Sequence, residues 1–335
     1  MVMSAGVGSR LDPLTQNIPK PLVPVLNKPV MDILLTKLKA YGIESVIANT
    51  HYLADSIHSR YASKYSPVNI EFTDLYEETL SGTAGGVKKC EFFFKDVDNF
   101  LVLSADGLHD AELDLIIASH IQNDCIATMA IAEIEHKEVC KYGVVVPSLD
   151  GTVSEFQEKP SLDEAKSNFI NTGIYVFNTR IFDFIPPNTV YDFAKNVFPK
   201  LLEAGEKINT YKINSYWSDI GTIDQYIQSN WDGLNQKVDT TDTKIIQTEQ
   251  NLYTIGENCK IATSAKLLNN VVIGNNCTIG ENVVLNNAIL WDGVKIKDNV
   301  TVHNSVIANN VTINQSINDV ILATEKKDEL ITNKG

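Results

Sequence analysis

The chain predicts an α/β domain with a mixed, mostly parallel sheet, followed by a parallel β-helix of hexapeptide repeats. Three observations carry this. Strand-length apolar runs alternate with helix-period segments through residues 1–240, the pattern of a sheet covered on both faces. From Ile255 onward apolar residues recur about every six positions, through Ile261, Leu267, Ile273, Ile279, Leu285, Leu290, Ile296, Val302, Ile307 and Ile313. The strings Asn-Asn-Val-Val-Ile (269–273), Asn-Asn-Ala-Ile-Leu (286–290) and His-Asn-Ser-Val-Ile (303–307) return every seventeen residues. Three short strands per coil, with apolar side chains stacked inside, produce such a period. Asparagine suits the corners because it tolerates left-handed backbone. The sequence therefore divides into residues 1–240, 250–318 and a polar tail at 319–335, expected to be loosely held or helical.

Bulk properties narrow the classes. The 335 residues are 44% apolar and 21% charged, ordinary for a globular protein of two domains. A net charge of −14 argues against nucleic acid or an anionic membrane as partner. Five scattered cysteines without a Cys-x-x-Cys pair (Cys90, Cys125, Cys140, Cys259, Cys277) read as reduced thiols, mostly buried. No apolar run is long enough to span a bilayer, so the expected location is cytoplasmic.

The first thirty residues hold the densest signal. A short apolar run at Met1–Met3 reads as the end of a buried strand, and the tight turn Ala5-Gly6-Val7-Gly8-Ser9 follows. Gly6 and Gly8 let backbone N–H groups approach a bulky anion. Arg10 adds a planar cation, and Lys20 is held between Pro19 and Pro21. A glycine turn with two cations behind it suits a polyphosphate. The spacing is neither the Walker pattern nor the dinucleotide fingerprint.

Further on, the pattern predicts helices over 29–41, 54–65, 113–122, 190–202 and 223–234, and strands over 45–49, 68–72, 100–103 and 127–132. A hairpin is expected from Tyr142 to Phe156 around Gly151. The cluster Gly82-Thr83-Ala84-Gly85-Gly86 leads into a helix and reads as either a base-facing turn or a plain capped loop. A buried strand delivers Asp106 at its end, where a carboxylate can hold Mg²⁺ or cap the next helix. Asp110 is a weaker metal candidate, and His109 reads as a polar loop residue. Glu158 and Lys159 could serve a sugar phosphate or form an exposed ion pair.

Longer strings decide between these readings. Ala-Gly-x-Gly-Ser-Arg-Leu-x-Pro-Leu-Thr (5–15), Pro-Lys-Pro-Leu (19–22), Gly-Thr-Ala-Gly (82–85), Phe-x-Glu-Lys-Pro (156–160), Asn-Thr-Gly (171–173) and Trp-x-Asp-x-Gly-Thr (217–222) together resemble the sugar-1-phosphate nucleotidyltransferases. Within that family the chain looks most like the mannose-1-phosphate guanylyltransferases. The resemblance implies a Rossmann-like catalytic domain and a left-handed β-helix. It implies the reaction of an NTP with a sugar 1-phosphate to give an NDP-sugar and pyrophosphate, with Mg²⁺ as cofactor.

Site residues follow by the same resemblance. Ala5, Gly6, Gly8, Gly82 and Thr83 would meet the nucleotide. Asp106 and Asp219 would hold the metal. Arg10, Lys20 and Lys159 would carry catalysis, and Gly143, Glu158, Lys159, Asn171 and Thr172 would hold the sugar phosphate. One departure from the family is visible: its usual Gly-Asp reads Ala105-Asp106.

GTP with mannose 1-phosphate is the first expectation. Glucose 1-phosphate with UTP, dTTP or ATP is next, and a heptose phosphate is a further option. The rival from another class is a silent nucleotide-sugar-binding regulatory subunit, but all five charged residues of the signature are present. An acyltransferase role for the repeat domain would need a histidine base, and His303 is the only one there. Exposed coil ends and flat faces predict a homo-oligomer through the β-helix.

Overall fold

A computed structural model describes residues 1–62 and 66–324, and the backbone of 330–334. The chain packs as two compact units, residues 1–6 with 37–219 and residues 7–36 with 220–335. These borders differ from the sequence division, because residues 7–36 and 220–240 group with the repeat region.

The first unit is built on a nine-stranded mixed sheet. Its strands are β1 (Val2–Met3), β2 (Ser45–Thr50), β3 (Glu71–Tyr76) and β4 (Asn99–Ser104), then β6 (Ala127–Glu133), β7 (Gly143–Pro147), β8 (Val153–Glu158), β9 (Phe169–Asn178) and β10 (Ile208–Lys212). A separate two-stranded ladder joins β5 (Leu108–His109) to β11 (Trp217–Ser218). The main order is β8-β7-β9-β4-β1-β2-β3, with β6 beside β9 and β10 beside β6.

Strands β4, β1, β2 and β3 are parallel, which brings their C-terminal ends to one edge. The chain enters the opening turn from there, where open parallel sheets place their ligands. Strand β9 runs antiparallel to β4, β6 and β7, so this half of the sheet is mixed. Val46 through Thr50 are all buried, as befits a central parallel strand covered on both faces. Phe100 stacks between Phe94 and Phe182, with ring centroids 4.2 and 5.2 Å apart.

Helices form where expected over Val30–Ala40 (α1), Ala54–Tyr61 (α2), Gly82–Lys89 (α3) and Leu113–Asn123 (α4). The expected end of α2, at 63–65, lies outside the described residues. Two elements differ from expectation. The strand placed at 68–72 lies instead at β3, because its partner β2 pairs in register from Ser45↔Glu71 to Thr50↔Tyr76. The helix expected over 190–202 is a π turn, Phe193–Val197, leading into α5 (Phe198–Glu203). Pro199 lies in the first turn of α5, and its missing N–H removes the bond that would tighten the preceding turn.

The second unit centres on the β-helix. Parallel strands stack coil on coil, from Leu252–Ile255 through Lys266–Ile273 and Val284–Leu290 to Thr301–Ile307. The recurring apolar residues of the sequence face its interior: Ile273, Ile279, Leu285, Leu290, Ile296, Val302, Ile307 and Ile313 are buried, and Ile255, Ile261 and Leu267 pack against them. Asn258, Asn269, Asn276, Asn282, Asn287, Asn299, Asn304 and Asn310 all adopt positive φ at the corners. Several bond to the next coil, as Asn282 Nδ2 does to Asn299 Oδ1 at 3.0 Å.

Residues 7–36 fasten to this body. Asn27 Nδ2 donates to Ile273 O at 2.7 Å, and Leu26 N to Asn230 Oδ1 at 3.0 Å. Tyr226, on helix α6 (Ile223–Leu234), is fully buried and accepts a bond from Trp291 Nε1 at 2.7 Å. The expected polar tail begins otherwise than anticipated. Val320–Thr324 is a strand, paired parallel to Thr301–Ile307, with Val320, Ile321, Leu322 and Ala323 buried. Those four residues are apolar and close the last coil. The backbone of Leu330–Lys334 returns antiparallel to it, while 325–329 and 335 lie outside the described residues.

Candidate active site

In the first unit the opening turn leaves β1 beside the end of β4, where Ala105 N donates to Met3 O at 2.9 Å. Ser4 is tied to the end of β2: its Oγ donates to Asn49 O at 2.6 Å and its N to Asn49 Oδ1 at 3.1 Å. Ala5 is buried, and Gly6 is exposed with no atom within 4 Å of where a Cβ would stand. Open space of that kind is what an approaching anion requires.

The second unit carries Gly8, Arg10 and Lys20. Gly8 has φ 73°, and a Cβ there would lie 2.9 Å from Lys20 Cβ, so this glycine serves the packing of the turn itself. Arg10 lies on the 3-10 turn Ser9–Leu11, exposed and without an ion pair among the described residues. Lys20 opens the turn Lys20–Leu22 and is half-buried.

The second glycine cluster is held mostly by the protein. Ala84 N and Gly85 N both donate to Tyr191 O, at 3.0 and 2.9 Å. Thr83 Oγ1 donates to Asp192 Oδ2 and accepts from Phe193 N, both at 2.9 Å. The Thr83 hydroxyl is thus engaged internally. Gly82 has φ 76°, and a Cβ would collide with Tyr191 O at 2.4 Å, leaving no room for a side chain.

The β5–β11 ladder sets the segments that carry Asp106 and Asp219 alongside one another. Ser218 pairs with Leu108, Asp219 follows Ser218, and Asp106 lies two residues before Leu108. Tyr142 Oη reaches Asp219 Oδ1 at 3.4 Å. Ile220, just after, has φ 32°, a strained backbone for a β-branched residue and one often found at working sites. The donor set is two carboxylates. Among the described residues no group of three or more metal-ligating side chains occurs, so phosphate oxygens and water would have to complete a hard cation's shell.

Two neighbours of this pair differ from the sequence reading. Asp110 is committed to Lys37, whose Nζ lies 2.5 Å from its Oδ1 and 2.7 Å from His109 O. His109 is no loop residue: it sits in β5, is 4% exposed, and burial together with Lys37 pushes its imidazole down to about 3.

The residues expected at the sugar phosphate, Gly143, Glu158, Lys159, Asn171 and Thr172, lie on or beside β7, β8 and β9. Gly143 pairs with Glu158, and a Cβ on it would lie 2.6 Å from the Phe156 ring and 3.2 Å from Glu158 Oε2. Lys159 has φ 48° and donates its N–H to Tyr142 O at 3.1 Å. Glu158 and Lys159 are both exposed. Asn171-Thr172-Gly173 occupies a register break between β9 and β6, the kind of bulge that re-aims side chains. Asn171 Nδ2 donates to Tyr175 Oη at 2.6 Å and its Oδ1 accepts from Gly173 N at 3.1 Å. The buried Thr172 hydroxyl donates to Ala130 O at 2.7 Å.

The Nucleotidyl transferase family model matches residues 1–236. The chain belongs to the sugar-1-phosphate nucleotidyltransferases. In this nucleotidyltransferase the repeat region, residues 235–324, matches a second model, the EIF2B subunit epsilon LbH domain, in agreement with the left-handed β-helix expected. A UTP–glucose-1-phosphate uridylyltransferase of Synechocystis sp. is 34% identical over 313 residues, covering 85% of this chain and 80% of that protein. A glucose-1-phosphate adenylyltransferase of Desulfitobacterium hafniense is 28% identical over 310 residues, covering 83% and 74%. The crystal structure of a putative glucose-1-phosphate thymidylyltransferase from Bacillus anthracis, in complex with a sucrose, matches with TM-score 0.60 at 23% identity. It covers 69% of this chain and 92% of that one, a likeness of fold. These relatives are named for glucose 1-phosphate, where the sequence motifs suggested mannose 1-phosphate and GTP.

Four more residues support these positions: Gly173 and Trp217 lie within the motif strings but had no role assigned, and Asn49 and Glu77 lie outside them. Gly173 has φ 76°, and a Cβ would stand 2.7 Å from Ser104 Oγ, two residues before Asp106. Trp217 Nε1 donates to Thr172 O at 3.0 Å, and its ring meets that of Tyr142 edge-on at 5.7 Å. The Trp-x-Asp spacing is the available signal for Trp217. Asn49 and Glu77 carry none, because nothing in the string distinguishes Glu77 from the adjacent Glu78.

Proposed function

We propose that the chain joins glucose 1-phosphate to a nucleotide, with UTP as the preferred NTP. A phosphate oxygen of the sugar phosphate attacks the α-phosphorus, and the bond from that phosphorus to the bridging oxygen of the β-phosphate breaks. Pyrophosphate leaves with the electron pair. The attacking phosphate is already ionised, so no protein nucleophile or general base is required, and catalysis is positioning and charge neutralisation.

Asp106 and Asp219 would hold Mg²⁺, which when bound supplies neutralising charge to the phosphates. Arg10 and Lys20 neutralise triphosphate charge, and Lys159 orients the sugar phosphate. Ala5, Gly6, Gly8 and the backbone of Gly82 and Thr83 serve the nucleotide. Gly143, Glu158, Asn171 and Thr172 serve the sugar.

The observation that supports this reading is the β5–β11 ladder, which pairs the backbone next to Asp106 with the backbone next to Asp219, over a hundred residues away in sequence. The glucose preference is supported by the relative that is 34% identical over 313 residues. The test is pyrophosphate release with each NTP against glucose, mannose and heptose 1-phosphates. Highest kcat/KM for UTP with glucose 1-phosphate is expected, and a clear preference for GTP with mannose 1-phosphate would overturn the substrate assignment. Self-association through the β-helix belongs to the same proposal. A monomer by light scattering would remove it.

A further inference from the structure

One buried carboxylate outside the family signature connects the two nucleotide turns of the first unit. Glu77 follows β3 and is 2% exposed. On one side its Oε1 accepts from Asn49 Nδ2 at 2.7 Å, and Asn49 Oδ1 accepts from Ser4 N at 3.1 Å. Ser4 directly precedes Ala5 and Gly6. On the other side Glu77 Oε2 accepts from Ser81 N at 3.3 Å, from the Ser81 hydroxyl, and from Lys89 Nζ at 2.9 Å. Ser81 directly precedes Gly82.

The direction of these bonds matters. Ser4 N–H fixes the Asn49 amide so that its NH₂ points at Glu77. Ser81 and Lys89 are donors too. Every group around Glu77 therefore donates, and only a side chain with acceptors at both ends satisfies them. An amide cannot, because its NH₂ would face a donor on one side or the other. Burial opposes the charge on Glu77, but the bonds from Ser81, Asn49 and Lys89 outweigh it and hold the carboxyl below its ordinary range. Gly86, on α3, makes room: a Cβ there would lie 2.6 Å from Asn49 Nδ2 and 3.0 Å from Glu77 Oε1.

We infer that Glu77 is a positioning residue for the nucleotide, fixing the Ser4–Gly6 turn that receives phosphate at a set distance from the Ser81–Thr83 turn that faces the base. The inference rests on the nucleotidyl-transfer reading above. Glu77 itself is too buried to be the base contact. It acts through Asn49 and Ser81, so its loss should be felt by the NTP and not by the sugar phosphate.

The test is steady-state kinetics of the full chain with UTP and glucose 1-phosphate varied in turn, together with calorimetric UTP binding and thermal unfolding. E77Q should raise the KM and Kd for UTP about tenfold or more, the cost of one or two mispaired buried groups. The KM for glucose 1-phosphate should stay within about twofold, below the effect of a single hydrogen bond. The double variant N49D/E77Q exchanges amide and carboxylate. Ser4 N–H and the relocated amide NH₂ then both donate to the relocated carboxylate, while Ser81 and Lys89 donate to the amide carbonyl. This variant should recover most of the UTP affinity.

A general loss of stability with both KM values moving together, or a double variant no better than E77Q, would overturn the inference while leaving the reaction intact. Should E77Q not fold, S81A removes one donor on the base side alone. It should raise the UTP KM by about threefold, and an unchanged value would contradict the role. A wild-type chain that neither binds UTP nor turns over would defeat the nucleotide reading itself.

Discussion

The two regions of the first unit proposed to serve the nucleotide and the sugar are built on opposite plans. Around Gly82 the polar groups are spent inside the protein: Thr83 on Asp192, Ala84 and Gly85 on Tyr191, and Asn49, Ser81 and Lys89 on the buried Glu77. Around Lys159 the charges are held in reserve. Glu158 and Lys159 are exposed and make no ion pair among the described residues, and Lys159 is aimed by a left-handed backbone. A satisfied network is rigid and offers a ligand backbone groups and shape. Uncommitted charges offer a ligand new bonds. Under the proposed function, the difference implies that nucleotide binding depends on how the turns are held, whereas sugar-phosphate binding depends on individual side chains meeting the substrate.

The strongest way to break the comparison is at the ladder between the two sides. D106N or D219N should lower turnover by about a thousandfold, since several kcal/mol of charge stabilisation would be lost. Circular dichroism should show the fold intact. The same ladder carries a stability signature. Burial together with Lys37 pushes the folded His109 imidazole down to about 3 from the ordinary 6.5, so below pH 6.5 the unfolded chain binds the extra proton and is favoured. Folding stability should therefore be full above pH 6.5 and fall by several kcal/mol toward pH 3. Chemical denaturation across that range should show a shallower slope for H109Q.

Arg10→Ala should reduce kcat by about ten- to a hundredfold with little change in melting temperature, as expected for a lost charge-assisted contact in the transition state. Lys159→Ala sharpens the contrast directly. Its KM for sugar 1-phosphate should rise about tenfold with the KM for UTP unchanged, the mirror image of the Glu77 signature. The smallest effect belongs to the repeat. Asn287→Ala puts a residue without a polar side chain at φ 49° and removes a 3.2 Å bond to Asn304, a loss of roughly 1–2 kcal/mol in thermal unfolding. Asn287→Gly should lose less.

The β-helix was the most legible region, because its period of seventeen residues repeats one local rule: an apolar residue inward and an asparagine at each corner. Every coil confirms the next. The sheet unit was legible where patterns are long, as in β2, β4 and α4. It was not at β3, an edge strand whose bounds are dictated by its partner, nor at 190–202, where Pro199 redirects a helical pattern. The apolar Val320–Ala323 stretch was absorbed into a tail reading because the residues around it are polar.

Among the candidate site residues, those in continuous strings were visible in the sequence. Glu77 and Asn49 were not, since a buried carboxylate and a surface one look the same in a sequence. Their importance comes from a three-dimensional chain of donors. Gly8 and Gly82 were visible as glycines, but the reason each must be one lies in Lys20 Cβ and Tyr191 O, contacts that no local pattern contains.

Manganese binding followed by electron paramagnetic resonance, with and without UTP, tests the pairing of Asp106 and Asp219 most directly. The wild-type chain should bind one Mn²⁺ tightly in the presence of UTP, with D106N and D219N each weakening it strongly. Equal binding by all three proteins would contradict the account.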